Sequence, residues 1–247
     1  MKRGITDIID VKRGTSQISK IMRGTTLIWE KVSALVSGGL VLHLDAGNVN
    51  SYSGTGLNWY DLSGSGNNGV LSDSTMGTQV ANTMMFDSLT DYVDLPNSLD
   101  YTTEVSDFAI FKGTGAPGNG YHILLGGSEL EISIPTNGEL RCGVETTSSR
   151  YVANKTANLL DGSYHYVGFT LKDGVMTFYK DGVNIGTRLA SGTLVNDFAF
   201  RRLGVHGDDT RYYLNGELPV VNIYNKGLTA SEVQQNFLVY QSRFNIM

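Results

Sequence analysis

A chain of 247 residues, 40% hydrophobic and 17% charged, is long enough to enclose one large core, and 30 glycines against 4 prolines suit short strands joined by tight turns better than long helices. The formal net charge of -5 argues against nucleic acid as a partner of the whole chain, since that binding needs lysine and arginine to displace counterions. The single cysteine, Cys142, reads as a small strand residue without a disulfide partner in the chain, and no stretch approaches the roughly 20 apolar residues of a membrane-spanning helix, so membrane insertion is not expected.

The chain opens on Met1-Lys2-Arg3 with no apolar run of signal-peptide length behind it, which gives the expectation of a protein made in a cytoplasm. A repeat follows at an interval of ten: Arg3-Gly4, Arg13-Gly14 and Arg23-Gly24, with Ile8, Ile18 and Ile28 in phase. The glycines suit tight turns and the stretches between them are rich in Ile, Val and Thr, so residues 1–32 are expected to form a three-stranded β-meander. So small a sheet cannot enclose a core of its own. Its apolar residues (Ile8, Val11, Ile18, Ile21, Ile28, Trp29) therefore need a partner, either the rest of the chain or a neighbouring subunit. Up to Lys31 there are seven lysines and arginines against three acids, and Arg13 and Arg23 join the apolar set as docking candidates for an acidic neighbour. The same charges would also keep edge strands soluble. Residues 33–39, Ser-Ala-Leu-Val-Ser-Gly-Gly, read as a linker.

From Leu40 the alternation of Leu40, Leu42 and Leu44 reads as a half-buried strand, and a turn-rich segment around Trp59 to Gly69 follows it. Strands are expected at Met84 to Asp87, Tyr92 to Leu95, Phe108 to Phe111, His122 to Leu125, Leu130 to Ile134 and Leu140 to Glu145. Two Asp-Gly turns, Asp173-Gly174 and Asp181-Gly182, punctuate a further meander. One helix is expected at about 230–241: Thr229 to Glu232 has the form of a capping box, and Val233, Phe237, Tyr240 and Phe244 recur at helical spacing.

Residues 40–247 resemble the laminin-G-like jelly rolls of the concanavalin A-like lectin/glucanase superfamily. The resemblance rests on Leu42-His43-Leu44-Asp45-Ala46-Gly47-Asn48, on Trp59-Tyr60-Asp61-Leu62-Ser63-Gly64, on Phe86-Asp87 with Asp91-Tyr92-Val93, on Tyr179-Lys180-Asp181-Gly182, and on Leu214-Asn215-Gly216-Glu217 leading to Ile223 and Thr229. It implies an all-β, antiparallel two-sheet sandwich. Sequences of this kind are similar to structural proteins of tailed bacteriophages, and Lys20 to Trp29 resembles N-terminal segments of such virion proteins. The resemblance thus implies a virion component on a tail, baseplate or capsid; the N-terminal sheet's need of a partner adds the expectation that it is docked to other virion structural proteins and homo-oligomeric, and it is expected to be non-enzymatic. The alternative is a lectin module for a cell-surface glycan.

Glucanases of the superfamily carry Glu-x-Asp-x-x-Glu on one strand. This chain has only Glu129-Leu130-Glu131, which places two acids on one side of a strand without the third, so a glycoside hydrolase is the lesser reading and no catalytic residue is assigned. The four histidines stand singly, without zinc spacing. No cofactor is required. Calcium is the metal the resemblance implies, with Asp87, Asp91 and Asp94 as ligands and Asp208-Asp209 near them, although Pro219-Val220-Val221 stands where relatives place an acid; the alternative is that the aspartates bond their own loop backbone. For carbohydrate, the candidates that could stack on a sugar ring are Trp59, Tyr60, Tyr212 and Tyr213, with Tyr52 and Tyr151 as further loop aromatics.

Overall fold

The computed structural model describes residues 34–77, 80, 82–95, 103–115, 120–127, 130–195, 201–207 and 212–247, together with the backbone of 11–13, 16–18, 20–23 and 26–30. The N-terminal strands are β1 (Val11–Arg13), β2 (Ser16–Ile18), β3 (Lys20–Arg23) and β4 (Thr26–Glu30). They form two antiparallel hairpins: Val11 lies opposite Ile18 in β1–β2, and Ile21 opposite Trp29 in β3–β4. The middle strand of the expected meander is thus divided between two partners. Ile8 and the side chains of the other docking candidates lie outside the described residues.

Fifteen strands and a helix follow among the described residues. They are β5 (Leu40–Asp45), β6 (Asn58–Trp59), β7 (Gly69–Leu71), β8 (Met85–Asp87), β9 (Val93–Asp94), β10 (Val105–Lys112), β11 (Tyr121–Gly126), β12 (Leu130–Pro135), β13 (Leu140–Glu145), β14 (Arg150–Lys155), β15 (His165–Lys172), β16 (Val175–Lys180), β17 (Val183–Leu189), β18 (Arg202–Leu203), β19 (Asn215–Tyr224) and α1 (Ala230–Phe244). One sheet has seven strands in the order β17-β16-β15-β10-β19-β5, with β8 also on β19; the other has eight, in the order β14-β13-β12-β11-β18-β9-β7-β6. All pairings are antiparallel, as expected for a jelly-roll sandwich.

Alternation decides what each face covers. On β12, Leu130, Ile132 and Ile134 enter the core between the sheets while Glu131 and Ser133 occupy the opposite face. Strand β10 carries large apolar side chains on both faces: Val105, Ala109 and Phe111 join that core, whereas Phe108 and Ile110 join a second cluster with Tyr166, Val220 and Tyr224. A sheet that is apolar on both faces needs a third layer. Helix α1 supplies it through Val233, Phe237, Tyr240 and Phe244. Its start is the expected capping box, with Glu232 N–H donating to Thr229 Oγ1 and Thr229 N–H donating to Glu232 Oε2 at 2.8 Å. Its far end is tied to β5 by Arg243, whose two Nη atoms donate to the Asp45 carboxylate at 2.6 and 2.7 Å.

The stretch read as a linker is docked. Leu35 and Val36 pack on the helix cluster, Val36 N–H donates to Asn236 Oδ1 at 2.9 Å, and Gln235 Nε2 donates to Ala34 O at 2.7 Å. Residues 34–36 therefore lie along the helix, on the outside of the seven-stranded sheet. Both Asp-Gly pairs have positive φ at each residue (49° and 72°, 52° and 78°), the conformation of a type I′ hairpin turn. Among the described residues no helix is long and apolar enough to cross a membrane.

Candidate functional site

Among the described residues no helix covers the outer face of the eight-stranded sheet, and a cleft of about 200 Å³ opens there, lined by Tyr121, Ile123, Glu131, Arg141, Arg150, His206 and Tyr212. Tyr121 comes from β11, Glu131 from β12, Arg141 from β13 and Arg150 from the first position of β14. Adjacent antiparallel strands bring them together: Ser133 lies opposite Arg141, Glu131 opposite Gly143, and Gly143 opposite Val152.

Glu131 is the hub. Ser133 Oγ donates to its Oε1 at 2.5 Å, Arg141 Nε donates to the same oxygen at 2.9 Å, and Arg150 Nη2 donates to Oε2 at 2.9 Å. Burial alone would raise this carboxyl, but the bonds from Ser133 and Arg141 and the charges of Arg141 and Arg150 outweigh it and hold the group below the usual glutamate range. Gly143 keeps the floor open between the two arginines' strands: a Cβ there would stand 3.1 Å from Val152 Cγ2 and 3.8 Å from Arg150 Nη2. The Arg141 guanidinium also stands 5.4 Å from the ring centre of Tyr121, which meets Tyr212 edge-on at 87°. Two guanidiniums thus face one carboxylate.

The four carbohydrate candidates separate. Tyr212 lines the cleft, and the half-buried Tyr213 follows it in a bridge to Val205. Tyr60 is 47% exposed beside β6, at the edge of the sheet farthest from β14. Trp59 corrects the expectation: it is fully buried in the core between the sheets, because pairing with Gly69 turns it inward, and it has no face to offer a sugar. Tyr52 is buried as well, and Tyr151 lies on β14 with its hydroxyl 2.6 Å from Ser191 Oγ. Around Trp59 the motif is a loop organiser: Asp61 Oδ1 accepts from His43 N–H and Ser63 N–H, and its Oδ2 accepts from Ser63 Oγ and Asn67 N–H.

The aspartates proposed for calcium do not assemble as ligands. Asp87 Oδ1 accepts the N–H groups of Leu89, Thr90 and Asp91, and these outweigh burial to hold its carboxyl below the usual range. Asp91 Oδ2 accepts Asp87 N–H, and its carboxyl is raised by burial and by the charge of Asp87. Asp94 Oδ1 pairs with Arg202 Nε at 2.7 Å. These carboxylates serve their own loop and a neighbouring strand, so the residues present do not fit the ion; among the described residues no group of three His, Cys, Asp or Glu side chains is placed to hold a metal. Asp208, Asp209 and Glu129 lie outside the described residues. Cys142 is buried, with burial pushing its thiol well above the ordinary value.

A laminin G family model described as the concanavalin A-like lectin/glucanases superfamily matches residues 86–234, and the chain belongs to that superfamily. No curated protein matches the chain by sequence. Solved structures share the fold at low identity. The binding domain of Paraclostridial mosquitocidal protein 1 is 16% identical, with a TM-score of 0.62 over 82% of this chain and 52% of that one. Trypanosoma rangeli sialidase in complex with an inhibitor is 18% identical, with a TM-score of 0.61 over 90% of this chain and 35% of that one. Domain 4 of AbnA, an extracellular arabinanase from Geobacillus stearothermophilus, in complex with arabinotriose, is 18% identical, with a TM-score of 0.58 over 80% of this chain and 97% of that one. The chain thus spans about half of the mosquitocidal structure, about a third of the sialidase and nearly the whole of the arabinanase domain.

Proposed function

We propose that this chain is a non-enzymatic, lectin-like binding module that takes a carbohydrate in the Tyr121–Arg141 cleft and is presented on a larger assembly through its N-terminal strands. The observation that carries the reading is the opposition of the two outer faces: the segment leading from the N-terminal hairpins lies along α1 on one, and the polar, aromatic cleft opens on the other. Such a module can be fixed from behind with its cleft facing outward. Superfamily membership supports a sugar ligand, as does the fold shared with an arabinanase domain in complex with arabinotriose.

The state of Glu131 supports binding rather than hydrolysis. A glycosidase needs a carboxyl raised enough to donate a proton and a second carboxylate across the bond. Glu131 is instead held ionised by two guanidiniums, and it is the one carboxylate among the described residues lining the cleft. The assembly we infer is a bacteriophage particle, with other virion structural proteins and further copies of this chain as partners, as the resemblance of residues 20–29 implies. The backbone pairing of β1–β2 and β3–β4 is separate from both sheets of the sandwich, which supports a separate docking role.

A glycan array probed with the full chain tests the binding reading: signal is expected with or without calcium and is expected to fall when Tyr212 becomes alanine, while silence on every glycan would remove the reading. Deleting residues 1–31 tests the anchor. The truncated chain is expected to remain folded and to fail to enter particles; normal incorporation would overturn the docking role.

A further inference from the structure

We propose that the cleft selects a sugar bearing a carboxylate, gripped by the Arg141 guanidinium with Arg150 beside it; this rests on the glycan-binding reading above. The first reason is charge. Arg141 and Arg150 both bond the carboxylate of Glu131, so the polar floor of the cleft presents two guanidinium groups around it. An anionic sugar meets cationic donors there.

The second reason is donor geometry. Arg141 commits Nε to Glu131, yet its side chain lines the cleft and is 28% exposed, so the Nη edge of its planar fork can meet a planar acid. A carboxylate matches a guanidinium bidentately. Glu131, 5% exposed at its side chain, acts as a positioning residue: by bonding both arginines it fixes them before any ligand arrives, which lowers the entropy lost on binding.

The third reason is shape. Tyr121 and Tyr212 stand at 87° and give the cleft apolar surface against which a sugar ring can pack. A cleft of about 200 Å³ that is open to solvent has room for one sugar ring against these faces, with the rest of a glycan outside it.

The test is calorimetry and saturation-transfer NMR on the full chain. The probes are the methyl glycosides of glucuronate and N-acetylneuraminate, the amide of the first and methyl glucoside as neutral counterparts, and acetate and sulfate as bare ions. At least one acidic glycoside is expected to bind roughly tenfold more tightly than the neutral sugars, the scale of one charge-assisted pair, and to weaken with added salt. Arg141→Gln is expected to remove that preference, and Arg141→Lys to restore only part of it, because the charge returns without the fork. Tyr212→Ala leaves the Glu131 cluster in place and is expected to weaken acidic and neutral sugars alike, which keeps the test decisive should the Arg141 variants fail to fold. Equal binding of acid and amide would overturn the acid preference while leaving the sugar site standing. Acetate or sulfate binding as tightly as the acidic glycosides would overturn it in favour of a simple anion site. Acidic binding untouched by a folded Arg141→Gln variant would place the site elsewhere and overturn it too, and no binding of any sugar would remove the glycan reading itself.

Discussion

The two outer faces of the sandwich begin from the same alternating strand pattern and end with opposite fates. On the seven-stranded sheet the outward residues are Phe108, Ile110, Tyr166, Val220 and Tyr224, and leaving them in water would cost more than ordering a helix over them. On the eight-stranded sheet the corresponding positions hold Glu131, Ser133, Arg141 and Arg150, which bond one another and need no cover. The face that stays open is therefore marked by outward polar residues that satisfy each other, and the face that closes by outward aromatics. In the proposed function the covered face is the attachment side and the open face the recognition side.

The comparison can be broken most forcefully at the helix. Phe237→Ala removes a buried ring from the covered face and is expected to cost about 3–5 kcal/mol in urea unfolding while leaving sugar binding unchanged wherever the variant remains folded. A loss of binding in the folded variant would show that the two faces are not independent. On the open face, Glu131→Ala leaves two arginines facing each other without their shared carboxylate, and about 2–3 kcal/mol is expected, reduced from the fully buried case because both arginines are partly exposed. An unchanged midpoint would mean that the cluster does not hold the cleft together. At the helix cap, Thr229→Ala is expected to cost about 1 kcal/mol, seen as a lower melting temperature.

The smallest effects should appear in the pH profile. Burial lowers the pKa of both His43 and His122 from the ordinary value near 6.5, so the unfolded chain takes up these protons first. Their contribution is complete above about pH 6.5 and declines as the pH falls through the lower, folded values. His122 is held neutral between two backbone groups: its Nδ1 accepts Asn215 N–H, and its Nε2 donates to Gly115 O. Thermal melts between pH 7.5 and 5.5 should show this decline, and His122→Asn should flatten part of it. A second decline is expected below about pH 4.5. Burial would raise Glu232, but its bonds with Lys226 and Thr229 lower it to about 2. A carboxylate so depressed stabilises the fold above its unfolded value and loses that contribution as the pH falls.

Much of the covered side was legible from residues alone. The capping box at Thr229, the helical spacing of Val233, Phe237 and Tyr240, and the two Asp-Gly turns each encode their structure locally. The open side was not legible in the same way. Tyr121, Arg141 and Arg150 each look like an ordinary solvated strand residue, and only the register of β11 through β14 brings them onto one cleft. Strand β14 gave little sign of itself, because an edge strand with all six residues partly or fully exposed has no apolar alternation to read. Trp59 misled for the opposite reason: turn residues surround it, but a two-residue strand paired with Gly69 is enough to bury it. Asp87 suggested a metal because acids clustered in sequence, while its carboxylate is spent on the N–H groups of its own turn.

Amide chemical-shift mapping with a glycan selected from the array tests the division of faces most directly. Perturbed resonances are expected around Tyr121, Glu131, Arg141, Arg150 and Tyr212, with those of α1 and residues 34–37 unmoved. Shifts centred on the helix, or on the separate hollow bounded by Gly47, Tyr52 and Asn82, would contradict the account.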